Sequence, residues 1–134
     1  MRTRIVLGCT ASYWALLFLA THWPSSHLPW SNLPWDLPSD VVLHFVAFAI
    51  LTLLLVFAVA ERVDSWSSAS LCLRCVAIVM VVAMYGILDE ATQPLIGRDF
   101  KWLEWAADVA GAVAGVVLGS GFILARRARV ARGT

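Results

Sequence analysis

The sequence predicts an all-α integral membrane protein: one domain over 1–134, built as a four-transmembrane-helix bundle with both termini in the cytoplasm. Three observations predict it. Apolar residues make up 60% of the chain and charged residues only 14%, against about 25% charged in a soluble domain. The apolar residues fall into four long blocks, each near the ~17–25 residues that cross a bilayer core. The basic residues favour alternate connections, as the positive-inside rule requires of a polytopic chain.

The first span is expected over about 5–21, behind Arg2 and Arg4. Two arginines before an apolar run resemble a signal peptide. No small-x-small cleavage site follows, so this segment reads as an uncleaved span. The second span is expected over about 41–60, the third over about 71–88 and the fourth over about 102–124. In lipid only a helix satisfies its own backbone hydrogen bonds, which makes all four helical. Arg2, Arg4, Arg62, Arg74, Arg126, Arg127, Arg129 and Arg132 fall on one side of this layout, Arg98 and Lys101 on the other. The richer side is the cytoplasmic one. The basic tail reads as a topology anchor, with contact to anionic lipid as the alternative.

The connection from His22 to Asp40 holds four of the five prolines and repeats Leu-Pro-Trp at Leu28 and Leu33. Proline disfavours helix and tryptophan favours the membrane–water boundary. A loop along the outer interface is expected, either a lipid-facing anchor or a lid. The connection from Glu61 to Ser70 reads as a plain turn.

Several function classes are excluded or weakened at this stage. A net charge of +1 with no basic patch argues against nucleic-acid binding. Cys9, Cys72 and Cys75 lie in or beside apolar blocks, which suits neither a disulfide framework nor a zinc site. No metal-ligand spacing such as H-E-x-x-H occurs, and His22 and His27 are lone histidines in a loop. No metal and no cofactor is expected.

The stretch Leu88 to Asp108 crowds charge between two apolar spans. Asp40 and His44 are four apart at the start of the second span, hence neighbours on one helix face. Ser39 or Asp40 can cap that helix. Glu90 and Gln93 share a face at the end of the third span, with Asp89 turned about 100° away. Acids at a helix C-terminus oppose the macrodipole, so a nearby cation, Arg98 or Lys101, is expected to offset them. Pro94 and Gly97 let the chain return. Glu104 and Asp108 open the fourth span on one face, and Gly111, Gly115 and Gly119 continue that face. Small residues at such spacing let helices approach closely, so Asp108 is expected to face a neighbouring helix. Asp40, His44, Glu90, Gln93, Arg98, Glu104 and Asp108 are thus expected to form one polar cluster at the outer mouth of the bundle. That cluster is either an ion-pair network fixing helix register or a site, because ionisable groups in a membrane are costly unless paired.

These motifs, in this order, resemble those of the VanZ-like family, small membrane proteins named for an accessory factor in teicoplanin resistance. The residues that carry the resemblance are Asp40 with His44-Phe45, Asp89-Glu90 with Gln93, Gly97-Arg98, and Glu104 with Asp108 and Gly111. They span about 40–119. Val41, Phe48 and Glu104 depart from the commoner lysine, tyrosine and aspartate. The resemblance implies a cell-envelope membrane protein linked to antibiotic resistance, and no reaction.

Three functions follow as expectations. The first is a non-catalytic accessory or binding protein. Its partners are membrane lipids and an anionic or amphipathic envelope ligand at the outer leaflet, held by Arg98 and His44. The second is an intramembrane lipid-modifying enzyme with His44 as general base, oriented by Asp40, and Glu90 as acid. The third is a small proton-coupled transporter, a homodimer through Gly111, Gly115 and Gly119.

Overall fold

The computed structural model describes residues 2–23, 40–60 and 67–133. Four helices account for most of them: α1 (Arg2–Thr21), α2 (Asp40–Ala60), α3 (Ser68–Thr92) and α4 (Trp102–Arg132). All four are long and apolar enough to cross a membrane. The predicted spans are therefore present, with α3 and α4 longer than expected. The proline-rich connection, with His27 and the Ser39 cap, and the turn at 61–66 lie outside the described residues.

Local chemistry explains the helix ends. Ser67 caps α3, accepting a hydrogen bond from the Ser70 amide at 3.2 Å, as a serine at that position does. After Thr92 the chain tightens into a 3₁₀ turn, Gln93–Ile96, with Pro94 near its start. Proline fits a first turn, where its missing N–H is not needed. The turn stops at Gly97, whose φ of 77° lies in the left-handed region, which glycine adopts without a Cβ penalty. Nothing breaks the helix after Leu124, so α4 runs on through the arginine-rich tail to Arg132. Arg129 and Arg132 in its last turn complement the macrodipole. At ~1.5 Å per residue its 31 residues exceed the ~30 Å hydrocarbon core.

The helices run alternately up and down, and α2 with α4 makes the most extensive contact. That contact is a glycine seam. A Cβ on Gly111 would collide with the Phe45 carbonyl oxygen; one on Gly115 would lie 2.5 Å from the Ala49 oxygen, and one on Gly119 2.9 Å from Val56 Cγ1. The three glycines thus bring the α4 backbone against α2 of the same chain. The face expected to serve a homodimer is therefore already occupied. A second close approach, which sequence reasoning did not single out, is at Gly86 on α3. There a Cβ would lie 2.9 Å from Asp108 Oδ2.

The apolar core consists of Leu17, Phe48, Leu51, Val82 and Ala112, drawn from all four helices. Tyr13 on α1 donates to the Ala47 carbonyl of α2 at 3.1 Å, and Trp105 on α4 to the Ala83 carbonyl of α3 at 3.1 Å. The outer surface is greasy. Leu16, Leu19, Leu73, Met80, Met84, Val117, Leu118 and Phe122 are all exposed, the face that lipid would cover.

Gly115 and Gly121 separate seam packing from helix propensity. Gly115→Ala is expected to lower unfolding stability in detergent by about 1–3 kcal/mol, the usual cost of overpacking. Gly121 has open space around it, so Gly121→Ala should be neutral or stabilising by up to about 1 kcal/mol. Denaturant titration of both variants followed by circular dichroism checks the contrast.

Candidate functional site

The last turn of α1, the first turns of α2 and α4, and the end of α3 meet at one end of the bundle. His44, Glu90, Gln93, Glu104 and Asp108 converge there and are buried. His44 is one turn into α2. Its Nδ1 lies 2.9 Å from Asp108 Oδ1, and its Nε2 lies 3.2 Å from Glu104 Oε2. The second contact lacks hydrogen-bond alignment, leaving Glu104 Oε2 buried with no hydrogen-bond partner. Glu90 Oε1 lies 4.0 Å from His44 Nδ1. Asp108 Oδ2 and Gln93 Oε1 are likewise buried and unpartnered. Phe48, fully buried, stacks beneath at 6.2 Å from the His44 ring and 5.7 Å from Tyr85. It gives the cluster a dry floor, where electrostatic interactions are stronger than in water.

Of the two cations expected to offset the acids closing α3, the Lys101 ammonium pairs instead with acids of α2 and α4, and Glu90 meets the Lys101 amide. Lys101 Nζ lies 2.6 Å from Glu104 Oε1 and 3.3 Å from Asp40 Oδ2. Asp40 is therefore an exposed partner of Lys101 at the lip; the histidine is oriented by Asp108. A residue four along a helix shares a face with His44, but Asp40 sits in the first turn, facing water and the lysine.

Arg98 does something else. Its Nη1 donates to the Thr21 carbonyl at 3.0 Å. Thr21 ends α1, so the guanidinium satisfies an orphan carbonyl and sits at the negative end of the dipole. Glu90 does the converse for α4. Its Oε2 accepts the Lys101 amide at 2.9 Å, just ahead of a helix whose N-cap makes no side-chain hydrogen bond. An acid that opposes its own helix dipole thus serves the N-terminus of the next helix.

A second group of polar residues escaped sequence reasoning. Asp89 is buried and accepts from Thr21 Oγ1 at 2.9 Å, Tyr85 OH at 3.2 Å and Gln93 Nε2 at 3.4 Å. His22 Nδ1 lies 3.6 Å from it, and His22 Nε2 is 2.9 Å from Thr92 Oγ1. His22 here is a structural partner of α3. The missed signal was the four-residue spacing of Tyr85 and Asp89, which puts both on one helix face. Gln93 also donates to Glu90 Oε1 at 3.4 Å and so bridges the two groups. The cysteines are free.

The chain matches no protein-family model, no curated protein and no solved structure.

The Lys101 ammonium is held above its ordinary value of 10.5, chiefly by its hydrogen bond to Glu104. A raised lysine value means the contact stabilises fully below the unfolded value and is lost as pH rises through the folded one. Thermal melts in detergent should therefore show a fall in stability above about pH 10.4, the unfolded lysine value. Lys101→Met should start lower at neutral pH and lack that part of the fall. Identical alkaline limbs would contradict the assignment.

Proposed function

We propose that the chain is a multi-pass membrane protein of the cell envelope and acts as a non-catalytic accessory or binding protein. The order and spacing of its motifs underlie a proposed kinship with VanZ-like proteins, and with it a link to lipoglycopeptide resistance. The arginine distribution favours cytoplasmic termini, which puts the cluster at the outer face. One observation carries the binding reading. Glu90, Glu104 and Asp108 are buried around a single imidazole, and Lys101 is the only ammonium among the described residues that pairs with them. Buried charge without full pairing is expensive, and an excess of carboxylates favours a cationic partner. With Arg98 engaged by α1, an anionic ligand loses the residue expected to hold it. The partner group that fits is cationic, as in the headgroup of an amphipathic envelope ligand.

Catalysis and proton-coupled transport are less well supported. Among the described residues no hydroxyl or thiol hydrogen-bonds to His44, so a nucleophile activated by it is lacking. The acids gather at one end of the bundle, whereas carriers place their coupling group near the midplane.

A fluorescent alkylammonium amphiphile and its alkyl phosphate counterpart, titrated against the protein in nanodiscs, test the reading. The ammonium probe should bind more tightly, and Glu104→Gln should weaken it at least tenfold while helicity is retained. A growth assay under lipoglycopeptide should show the same variant losing its protection. Preference for the phosphate probe would overturn the proposal.

A further inference from the structure

The cation that this cluster fits best can be specified further. Each of His44, Glu90 and Glu104 offers one donor atom, and the three atoms lie within 4.8 Å of one another. They come from α2, α3 and α4, so three packed helices hold the set and no flexible loop is involved. Sequence spacing could not disclose it, because no two of the three are neighbours on one helix.

Each donor residue has its other polar atom already engaged. His44 Nδ1 is met by Asp108 Oδ1 at 2.9 Å. Glu104 Oε1 carries the Lys101 ammonium, and Glu90 Oε2 carries the Lys101 amide. What remains is His44 Nε2 and Glu104 Oε2, with Glu90 Oε1 standing 4.0 Å from Nδ1 of the same ring. Glu104 Oε2 is buried and has no hydrogen-bond partner, although it lies 3.2 Å from His44 Nε2. Donors about 3–3.5 Å apart suit an ion bound at ~2.0–2.2 Å, so this pair is already at ligand spacing. Glu90 Oε1 has to move toward that pair from its place 4.0 Å from Nδ1, and its present bond to Gln93 is long, at 3.4 Å.

The surroundings match a metal site in two further respects. A ligating histidine almost always donates its other ring N–H to a carboxylate, a backbone carbonyl or water, which fixes the tautomer and the ring; Asp108 stands in that place. The charge excess points the same way. Glu90, Glu104 and Asp108 are three carboxylates, and the Lys101 ammonium beside them is shared with Asp40. With a neutral imidazole, a divalent cation offsets much of that excess. One nitrogen and two carboxylate oxygens suit Zn²⁺ or Mn²⁺, where Ca²⁺ would need more oxygens.

We propose that His44, Glu90 and Glu104 bind one divalent transition-metal cation of the Zn²⁺ or Mn²⁺ class, with Asp108 positioning the His44 ring. The proposal rests on the reading that the cluster accepts cations. Three protein ligands leave a coordination position open.

The test uses the full chain, purified in detergent, stripped with chelator, equilibrated with ZnCl₂ or MnCl₂ and desalted. Elemental analysis should find about one ion per chain, with a higher thermal midpoint than the stripped protein. Glu104→Gln should abolish retention, and Asp108→Asn should weaken it about 10–100-fold, as loss of a supporting carboxylate does. Asp99→Asn, at an exposed residue outside the cluster, should leave it unchanged. The Co²⁺ absorption spectrum of the wild type needs no variant. Intense bands of a low-coordinate nitrogen–oxygen site are expected, and the weak spectrum of an octahedral surface ion would sink the inference. So would a folded wild type that retains no metal, or Glu104→Gln retaining as much as wild type. Zn²⁺ should also displace the alkylammonium probe. Probe binding with no metal retention would reject the metal and keep the cationic reading; loss of both would reject the two together.

Discussion

The hydrogen bond between His44 and Asp108, 2.9 Å long and buried between α2 and α4, is the contact around which the rest is arranged. Its position is dictated by the glycine seam. Gly111 lies three residues after Asp108 and presses on the carbonyl of Phe45, the residue that follows His44. The two backbones are therefore almost in contact one turn below the bond. At that distance the imidazole and the carboxylate have nowhere to go except toward each other. Moving α4 by one residue would turn the glycines off α2 and send Asp108 toward lipid, where an unpaired acid is costly. Close packing and polar pairing thus specify one register together, and each would be unfavourable without the other.

The ends of the helices show the same economy of polar groups. A helix leaves unsatisfied N–H and C=O groups at its termini, and near a bilayer these cannot always turn to water. Here the four helix ends satisfy one another. Glu90 from α3 accepts from the amide that leads into α4; Arg98 from the connection donates to the last carbonyl of α1; Lys101 joins the first residue of α2 to the first turn of α4. Crowded charge in the α3–α4 connection is the consequence. That connection reaches α1, α2 and α3 at once, so its residues do the capping that local serines and asparagines do in soluble bundles.

Much of this was legible in the sequence because four helices long and apolar enough to cross a membrane stand out as blocks. Block length places the helices, and alternation places their ends. Once the ends are placed, His44, Glu90, Gln93, Glu104 and Asp108 must share one end of the bundle, and glycine spacing aims Asp108 inward. What the sequence could not disclose depends on distances across helices. Asp40 and His44 are four apart, yet their partners are Lys101 and Asp108. Arg98, expected to hold a ligand beside the acids, instead caps α1. Asp89, turned away from Glu90 by the helix period, meets Thr21 and Tyr85. A donor set drawn from three helices has no sequence signature at all. Helix length was underestimated where polar residues such as Glu90 and Arg129 still favour helix, because hydropathy marks the span and not the helix.

The central claim is that His44 and Asp108 act as one unit joining α2 to α4. A double-mutant cycle with His44→Ala, Asp108→Ala and the double variant, using unfolding free energies in one detergent, tests it most directly. The account predicts a coupling of about 1.5–3 kcal/mol, the worth of a hydrogen bond to a charged group. Losses that add to within about 0.5 kcal/mol, as for independent sites, would contradict it.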